Sequence, residues 1–376
     1  MVQQARYGRL HPAVGQARGQ MARVLNLLLG AGTVAASGKS RQVQEDTPLL
    51  LAGVSGGPDS LALASILAHF VRRGEIKAGA IIVDHGLQEK SAQVAEEAAA
   101  QCRALGLDPV LIKRVAVQNF KEGPEKAAQL ARYGAFAQAL AETQARGILL
   151  GHTLNDQAET VLLGLARGSG TKSLAGMPEI LERDNLKIVR PLLSLTRQEI
   201  QEICTAEKLD PWYDPTNSDQ SLMRSRVRHS ILPFLEEHLG GDVATSLART
   251  AAILGPDAQY LDEQAQKIYP ACLVDEASLK KLVLPGAVIG EYVVLDRGKI
   301  AALPDALRRR VLGLAVKNTG GLAPSFERLS ALDAFAASNA VGGPVQLTGH
   351  VSAWKVRPAG DYRKTGLLIV GSTRPN

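Results

Sequence analysis

The feature that most constrains this chain is a turn of small residues, Val54-Ser55-Gly56-Gly57-Pro58-Asp59-Ser60, set between two apolar segments of different kind. Leu49 to Val54 is a near-continuous apolar run with no helical period, and its length predicts a buried strand. Leu61 to Val71 is rich in Ala and Leu and ends in Arg72, Arg73 and Gly74, as a helix ends. The turn therefore opens a helix at the end of a strand. Unpaired N–H groups and the positive end of the helix dipole attract anions there, phosphate above all. Gly56 and Gly57 let the backbone take positive φ and approach a ligand. Ser55 and Ser60 add hydroxyls, and Asp59 is placed to hold Mg²⁺ against phosphates. No Gly-Lys-Ser/Thr follows, which excludes the phosphate loop of kinases and GTPases. An ordinary turn capped by Ser and Asp is the competing reading of these residue types.

From Pro48 the pattern alternates between strands and helices. Strands are predicted at Leu49–Val54, Ala78–Val83, Val110–Val117, Ile148–Leu150 and Leu186–Val189. Helices are predicted at Leu61–Arg73, Ala92–Leu105, Glu125–Gln144, Asp156–Leu165 and Arg197–Lys208. Repeated units of this kind imply an α/β fold, a doubly wound and mostly parallel sheet with helices on both faces. Ligands of such sheets bind beyond the C-terminal strand ends, where the small-residue turn, Asp84-His85 and His152 all fall. Further on, Val227 to Leu239 reads as a helix, and Asp242 to Leu284 has helical periodicity broken at Gly255-Pro256 and Pro270. Val288–Leu295, Val345–Val356 and Leu367–Val370 read as strands, with helices at Ala306–Lys317 and Ser325–Ala337. A second, smaller mixed α+β domain is therefore expected from about residue 241, after a helical connection over 211–240.

Residues 1–47 carry Arg6, Arg9, Arg18, Arg23, Lys39 and Arg41 against Glu45 and Asp46. They read as a basic extension with an amphipathic helix over Gln20–Leu29 and a polar linker over Gly30–Gln44. Leu27-Leu28-Leu29-Gly30 with Gly38-Lys39-Ser40 mimics a Walker A loop, but Thr33 stands where that loop needs Gly. The net charge of +6 favours a polyanionic partner. Cys102, Cys204 and Cys272 are far apart with no Cys-x-x-Cys, against a zinc ribbon, an iron–sulfur site or a disulfide framework. No apolar stretch reaches the ~20 residues that span a bilayer and no signal-peptide pattern opens the chain, so the expectation is a cytoplasmic protein without a membrane partner.

Two further stretches carry chemistry. In Gly151-His152-Thr153-Leu154-Asn155-Asp156-Gln157-Ala158-Glu159-Thr160, Thr153 or Asn155 can cap a helix whose first turn holds Asp156 and Glu159. Those two carboxylates share one face aimed at the strand ends, with His152 beside them. Arg167 and Gly168-Ser169-Gly170 follow, offering cationic and backbone contacts to phosphate. Later come Arg190-Pro191-Leu192-Leu193, then Trp212-Tyr213-Asp214-Pro215-Thr216-Asn217 and Arg224-Ser225-Arg226-Val227-Arg228-His229. Basic residues beside aromatics suit an RNA backbone and an unstacked base, while a solvated basic helix start is the bland alternative.

Ser-Gly-Gly-x-Asp-Ser after a first buried strand resembles the pyrophosphate loop of the N-type ATP pyrophosphatases, which have the adenine nucleotide alpha-hydrolase-like fold and split ATP between its α and β phosphates. The ordered set from Val54 to Leu235 resembles the tRNA(Ile)-lysidine synthetase family. It comprises Ser55–Ser60, Val83-Asp84-His85-Gly86-Leu87, Ala131-Arg132-Tyr133, His152 through Met177, Arg190-Pro191-Leu192-Leu193, Asp214-Pro215-Thr216-Asn217, Arg224, Arg228 and Ile231-Leu232-Pro233. His11-Pro12-Ala13-Val14 and the Leu303–Leu312 region with its Arg triplet resemble the actinobacterial branch more loosely. The resemblance implies an ATP pyrophosphatase domain over 48–210 and a substrate or tRNA-binding domain over 241–376. It implies ATP with Mg²⁺, free L-lysine and tRNA(Ile) with a CAU anticodon as ligands. The wobble cytidine would be adenylated at its C2 oxygen and then attacked by the lysine ε-amine. Ser55, Gly56, Gly57, Pro58, Asp59, Ser60, Asp84 and His85 would bind ATP, with Mg²⁺ on Asp59. Asp59, Asp156, Glu159 and His152 would be catalytic, the last three as base for the amine or grip on the ammonium. Arg132, Arg167, Arg190, Arg224 and Arg228 would hold RNA or phosphate. Three departures stand out: Asn155-Asp156 replaces an acidic pair, Gln129 replaces a frequent Arg, and Arg224-Ser225 replaces Arg-Asn. A tRNA thiolase of the same superfamily and a non-catalytic tRNA-binding module are the competing functions.

Overall fold

A computed structural model describes residues 10–35, 44–86, 90–116, 124–168, 170–183, 186–214, 222–280, 282–338, 344–356, 362 and 366–374. Arg6, Arg9, Lys39, Arg41, the Gly38-Lys39-Ser40 decoy, Leu87, Val117, Ser169, Pro215, Thr216 and Asn217 lie outside the described residues. The chain divides into two compact units, residues 1–253 and 254–376.

In the first unit β1 (Leu49–Val54), β2 (Lys77–Asp84), β3 (Val110–Arg114), β4 (Ile148–Leu150), β5 (Ile180–Arg183) and β6 (Leu186–Val189) form one sheet in the order β3-β2-β1-β4-β6-β5. All pairs are parallel except β5 with β6. The strand pleat sends alternate residues to opposite faces. Leu50, Ala52, Val54, Ala80 and Ile82 pack in one core with α1 (Pro12–Leu29), α2 (Pro58–Arg72), α3 (Ser91–Ala104) and, further along, α7 (Arg197–Ala206). Leu51, Ile81, Ile148 and Leu150 pack on the other face against Phe136 and Ala139 of α4 (Pro124–Thr143). Helices on both faces make the sheet doubly wound. The chain builds β1, β2 and β3 outward and returns to β4 on the far flank of β1. The loops after β1 and β4 therefore diverge and open a crevice at the switch point.

The N-terminal helix begins at Pro12 rather than at the expected Gln20, capped by His11, and buries Ala13, Val14, Ala17, Met21 and Leu25 in the main core. Its small buried residues give no hydrophobic period over the first turns. Arg18 pairs with Glu207 at 3.2 Å and Arg23 with Glu179, so two charges of the basic extension are neutralised within the unit. β5 has no counterpart among the expected strands, because Ile180-Leu181-Glu182-Arg183 offers only two apolar residues. The helix expected from Val227 begins as α8 (Met223–Arg226), continues through a π-helical turn at Val227–Ile231 and ends as α9 (Leu232–Leu239). Two earlier elements, α5 (Leu154–Ala166) and α6 (Thr171–Leu174), lie between β4 and β5.

The expected breaks at Pro256 and Pro270 do not occur: both lie inside α10 (Val243–Cys272). Each proline removes one backbone donor, yet Ala244, Ala251, Ala258, Ala265 and Cys272 stay buried at heptad spacing along one face. In the second unit β7 (Tyr292–Asp296), β8 (Val345–Gln346), β9 (Val351–Val356) and β10 (Leu367–Ser372) form an antiparallel sheet in the order β7-β10-β9-β8. The single strand expected over Val345–Val356 is thus a hairpin. Leu368, Val370 and Leu295 pack against α13 (Asp305–Asn318) and α14 (Phe326–Ala337), while Leu367, Ile369 and Val294 pack on the opposite face. Two short helices, α11 (Glu276–Leu279) and α12 (Arg297–Ala301), flank β7. Among the described residues no helix is long and apolar enough to cross a membrane.

Candidate active site

The crevice at the switch point holds a cavity of about 630 Å³ bounded by the ends of β1, β2 and β4 and by the start of α2. The turn after β1 is shaped by three of its own carbonyls, each tied back into the protein. Gly56 O accepts from Trp212 N–H at 3.0 Å, Gly57 O from Ser60 Oγ at 2.9 Å, and Pro58 O from the Cys204 thiol at 3.5 Å. Ser60 Oγ also accepts from Ser55 N–H at 3.1 Å. Gly56 sits at φ +83°, which an L side chain rarely adopts. With these carbonyls engaged, the start of α2 borders the cavity, and the helix itself supplies no acceptor for the N–H groups of Asp59 and Ser60 in its first turn. Gly151 at the end of β4 permits this packing: a Cβ there would lie 2.6 Å from Asp59 O. No side chain caps the helix, since its N-cap is Gly57.

Carboxylates and arginines gather on the other side of the switch point. Thr153 caps α5 in a reciprocal box with Asp156, whose Oδ2 accepts from Thr153 N–H at 2.9 Å and from Thr153 Oγ1 at 3.0 Å. Asn155 does not cap α5; its Oδ1 accepts from Arg197 N–H at 3.0 Å and so satisfies the first turn of α7. Glu159 is fully buried and accepts from Arg197 Nη2 at 2.8 Å, Arg224 Nε at 3.1 Å, and Arg228 Nε and Nη2 at 2.7 and 3.2 Å. Arg228 Nη2 also reaches Asp156 Oδ1 at 3.0 Å. One buried carboxylate thus gathers guanidinium groups from α7 and from the α8 and π-helical segment. Sequence spacing holds no signal for Arg197, whose only mark is its place in the first turn of a helix opening beyond β6.

Of the residues expected at the site, Ser55, Gly57, Pro58, Asp59, Ser60, His85, Arg132, His152, Asp156 and Arg228 line the cavity. Arg197, Trp212, Tyr213 and His229 join them. Gly56, Asp84, Glu159, Arg167, Arg190 and Arg224 are outside its lining. Asp84 works within its own turn: burial raises its pKa, but the Gly86 N–H, 2.9 Å away, and the Ser91 hydroxyl outweigh this and hold it low. Arg190 is buried, donating to Pro178 O at 2.8 Å and bonding Tyr133, and its charge helps to lower the His152 pKa. Arg167 is exposed and donates to Leu163 O of its own helix at 3.0 Å. In the second unit, Arg308 and Arg309 of the triplet engage buried Asp333 at 2.6 and 3.1 Å, and Arg310 engages Asp262 at 2.9 Å.

Charge is finely set around the cavity. Burial, and then the Asp156 carboxylate, push Asp59 up to about 6, against the pull of Arg197 and Arg228. Burial would raise Asp156 too, but the Thr153 N–H, His152, Arg228 and Arg224 hold it below the usual carboxylate range. Burial drives His152 down to about 4, with Arg190, Arg224 and Arg132 assisting and Asp156 opposing, so its imidazole is neutral at pH 7. His85 is lowered by burial and by Arg132. The Nδ1 atoms of His85 and His152 are buried with no hydrogen-bond partner among the described residues.

Residues 33–235 match the PP-loop domain family, and residues 295–358 match the TilS substrate binding domain. A tRNA(Ile)-lysidine synthase of Leifsonia xyli is 46% identical over 305 residues, covering 80% of this chain and 86% of the relative. One of Bifidobacterium longum subsp. infantis is 39% identical over 347 residues, covering 86% and 89%. Among solved structures, the U34-tRNA thiolase NcsA of Methanococcus maripaludis with its 4Fe-4S cluster superimposes with a TM-score of 0.50 at 19% identity, over 65% of this chain and 80% of that one. At that identity the likeness speaks to the fold alone. With the match to the synthases running through both units, the chain belongs to the tRNA(Ile)-lysidine synthase family.

Proposed function

We propose that this chain joins free L-lysine to C2 of the wobble cytidine of tRNA(Ile) with the CAU anticodon, converting ATP to AMP and pyrophosphate. The observation that carries the reading is the phosphate-ready start of α2 opening into the same cavity as Asp59, Asp156, His152 and Arg228. Residues 48–210 act as the ATP pyrophosphatase domain, 211–240 as its helical connection and 241–376 as the substrate or tRNA-binding domain. The site of action is the cytoplasm.

Cytosine O2 is a poor leaving group. In the first step O2 bonds to the α-phosphorus of ATP as the bond from that phosphorus to the bridging oxygen breaks. The departing pyrophosphate rests on the N–H groups of Gly57, Asp59 and Ser60 and on the Ser55 hydroxyl. Asp59 would hold a divalent cation: it lines the cavity at the phosphate turn together with Asp156, an oxygen donor set suited to a hard cation, and burial with that neighbouring carboxylate raises its pKa, a state that a cation relieves. Mg²⁺ commonly binds through one or two carboxylates plus substrate phosphates, and it would supply charge neutralisation on those phosphates. In the second step the lysine ε-nitrogen bonds to C2 as the C2–O2 bond breaks and AMP leaves with that oxygen. The amine's solution pKa is ~10.4, so the site must strip its proton. Asp156 grips the ammonium, and neutral His152 takes the proton, its basicity raised by the negative charge of the bound phosphates. Glu159, saturated by three arginines, holds Arg197, Arg224 and Arg228 in place, and Arg132 and Arg228 face the adenylate phosphate. Arg167 contributes a surface contact to the RNA backbone.

Incubation of the protein with ATP, radiolabelled lysine and unmodified tRNA(Ile) tests the reading. Lysine incorporation with stoichiometric AMP and pyrophosphate is expected. Tight tRNA binding without ATP cleavage would overturn it in favour of a non-catalytic module.

A further inference from the structure

We propose that Tyr213 is a stacking platform for an unpaired nucleobase of the RNA substrate at the rim of the cavity. The inference rests on the proposed function, in which the substrate is an RNA presenting a base to the bound nucleotide. Tyr213 is 64% exposed and yet lines the cavity. Scattered exposed aromatics are ordinary, but this one is mounted on a fixed backbone. Trp212 N–H donates to Gly56 O at 3.0 Å, fastening the segment to the phosphate turn itself. Two residues earlier, Gln101 brackets Asp210, donating to its carbonyl at 2.8 Å and accepting from its N–H at 3.2 Å. A ring presented on a tethered segment loses little freedom on stacking.

The cavity's own chemistry separates two rings. Its buried wall is apolar, with Ile81 and Phe136 almost wholly shielded from solvent, and suits the adenine of a bound nucleotide. Tyr213 stands at the solvent-facing side, where a second base must enter to reach the α-phosphate. Arg132 and Arg228 line the same cavity, so the ring shares it with the guanidinium groups that face the adenylate phosphate of that nucleotide. An exposed aromatic in a cavity that also carries guanidinium groups is an arrangement by which single-stranded RNA is held.

The full-length chain and its Tyr213→Ala and Tyr213→Phe variants test this. Stacking of the size seen for base–aromatic contacts predicts that Tyr213→Ala raises KM for tRNA about tenfold, leaves KM for ATP unchanged, and is rescued by Tyr213→Phe. A second measurement needs no turnover. An anticodon stem-loop carrying pyrrolocytidine at the wobble position is quenched on binding the parent and the Phe variant, and stays bright on the Ala variant. Equal quenching and equal tRNA affinity in all three proteins would overturn the proposal. So would a rise in KM for ATP alone, which would assign the ring to adenine. If the parent quenches the probe but incorporates no lysine, the ligase reading falls and the platform stands. If lysine is incorporated and neither Tyr213 variant has an effect, the platform falls and the ligase reading stands.

Discussion

Replacing Asp59 with Asn should stabilise the nucleotide-free protein, and should do so only where the carboxyl is ionised. The Asp59 pKa is raised from 3.8 to about 6, first by burial and then by Asp156. Because the folded state holds the proton more tightly than the unfolded state, ionisation weighs against folding. Well below pH 4 both states are protonated and the carboxyl is neutral in its effect. The penalty grows between about pH 4 and 6 and is complete above that. At 1.36 kcal/mol per pH unit the ceiling is ~3 kcal/mol, and local relaxation brings the expected gain to about 1–3 kcal/mol at pH 7.5. Urea unfolding of parent and Asp59→Asn proteins across pH 4 to 8, without ATP or divalent ions, measures the difference directly. The variant should gain little at pH 4, gain fully by pH 7, and fail to release pyrophosphate while keeping its affinity for tRNA. A stability difference that is flat with pH, or a variant less stable than the parent at pH 7.5, would refute the argument that Asp59 is strained and waiting for a cation.

Three further outcomes follow from the contacts around the switch point. Glu159→Gln removes the anion that gathers Arg197, Arg224 and Arg228. Since those guanidinium groups retain partial access to water, the loss should sit near the lower end for broken buried pairs, about 3 kcal/mol by urea unfolding, with ATP cleavage lost as well; an unchanged midpoint would contradict the anchoring role. Gly151→Ala forces a methyl to 2.6 Å from Asp59 O, so isothermal titration should show ATP affinity reduced at least tenfold, and parental affinity would mean that β4 and α2 need not approach so closely. Asn155→Asp keeps the acceptor for Arg197 N–H and adds a negative charge at the start of α7, which should stabilise by about 0.3–1 kcal/mol at low salt and less at high salt; destabilisation would show that the amide is needed there.

How much of this is legible in the sequence depends on the range of the interaction. β1, β4 and β6 match their expected bounds because short apolar runs between turn residues leave few alternatives. The phosphate turn is readable because its glycines, proline and helix start are neighbours in sequence. The grouping of Asp156 and His152 follows from their common place at a strand end. The clamp on Glu159 is not readable. Its partners lie 38, 65 and 69 residues away, and nothing in their spacing links them. Asn155 reads as a cap for its own helix, whereas tertiary packing lends it to the next one. Pro256 and Pro270 read as breaks because local propensity counts a missing donor, but not the buried alanine face that carries α10 through both. The π-helical turn at Val227–Ile231 sets Arg228 against Asp156 and Glu159, and no residue pattern announces such a turn.

The most direct test of the account is a crystal structure of the protein with Mg²⁺ and an ATP analogue that cannot be cleaved between its α and β phosphates. The account predicts the β and γ phosphates on the N–H groups of Gly57, Asp59 and Ser60, with the cation against Asp59 and the adenine on the apolar wall by Phe136. A nucleotide bound elsewhere, or one whose phosphates point away from the start of α2, would contradict it.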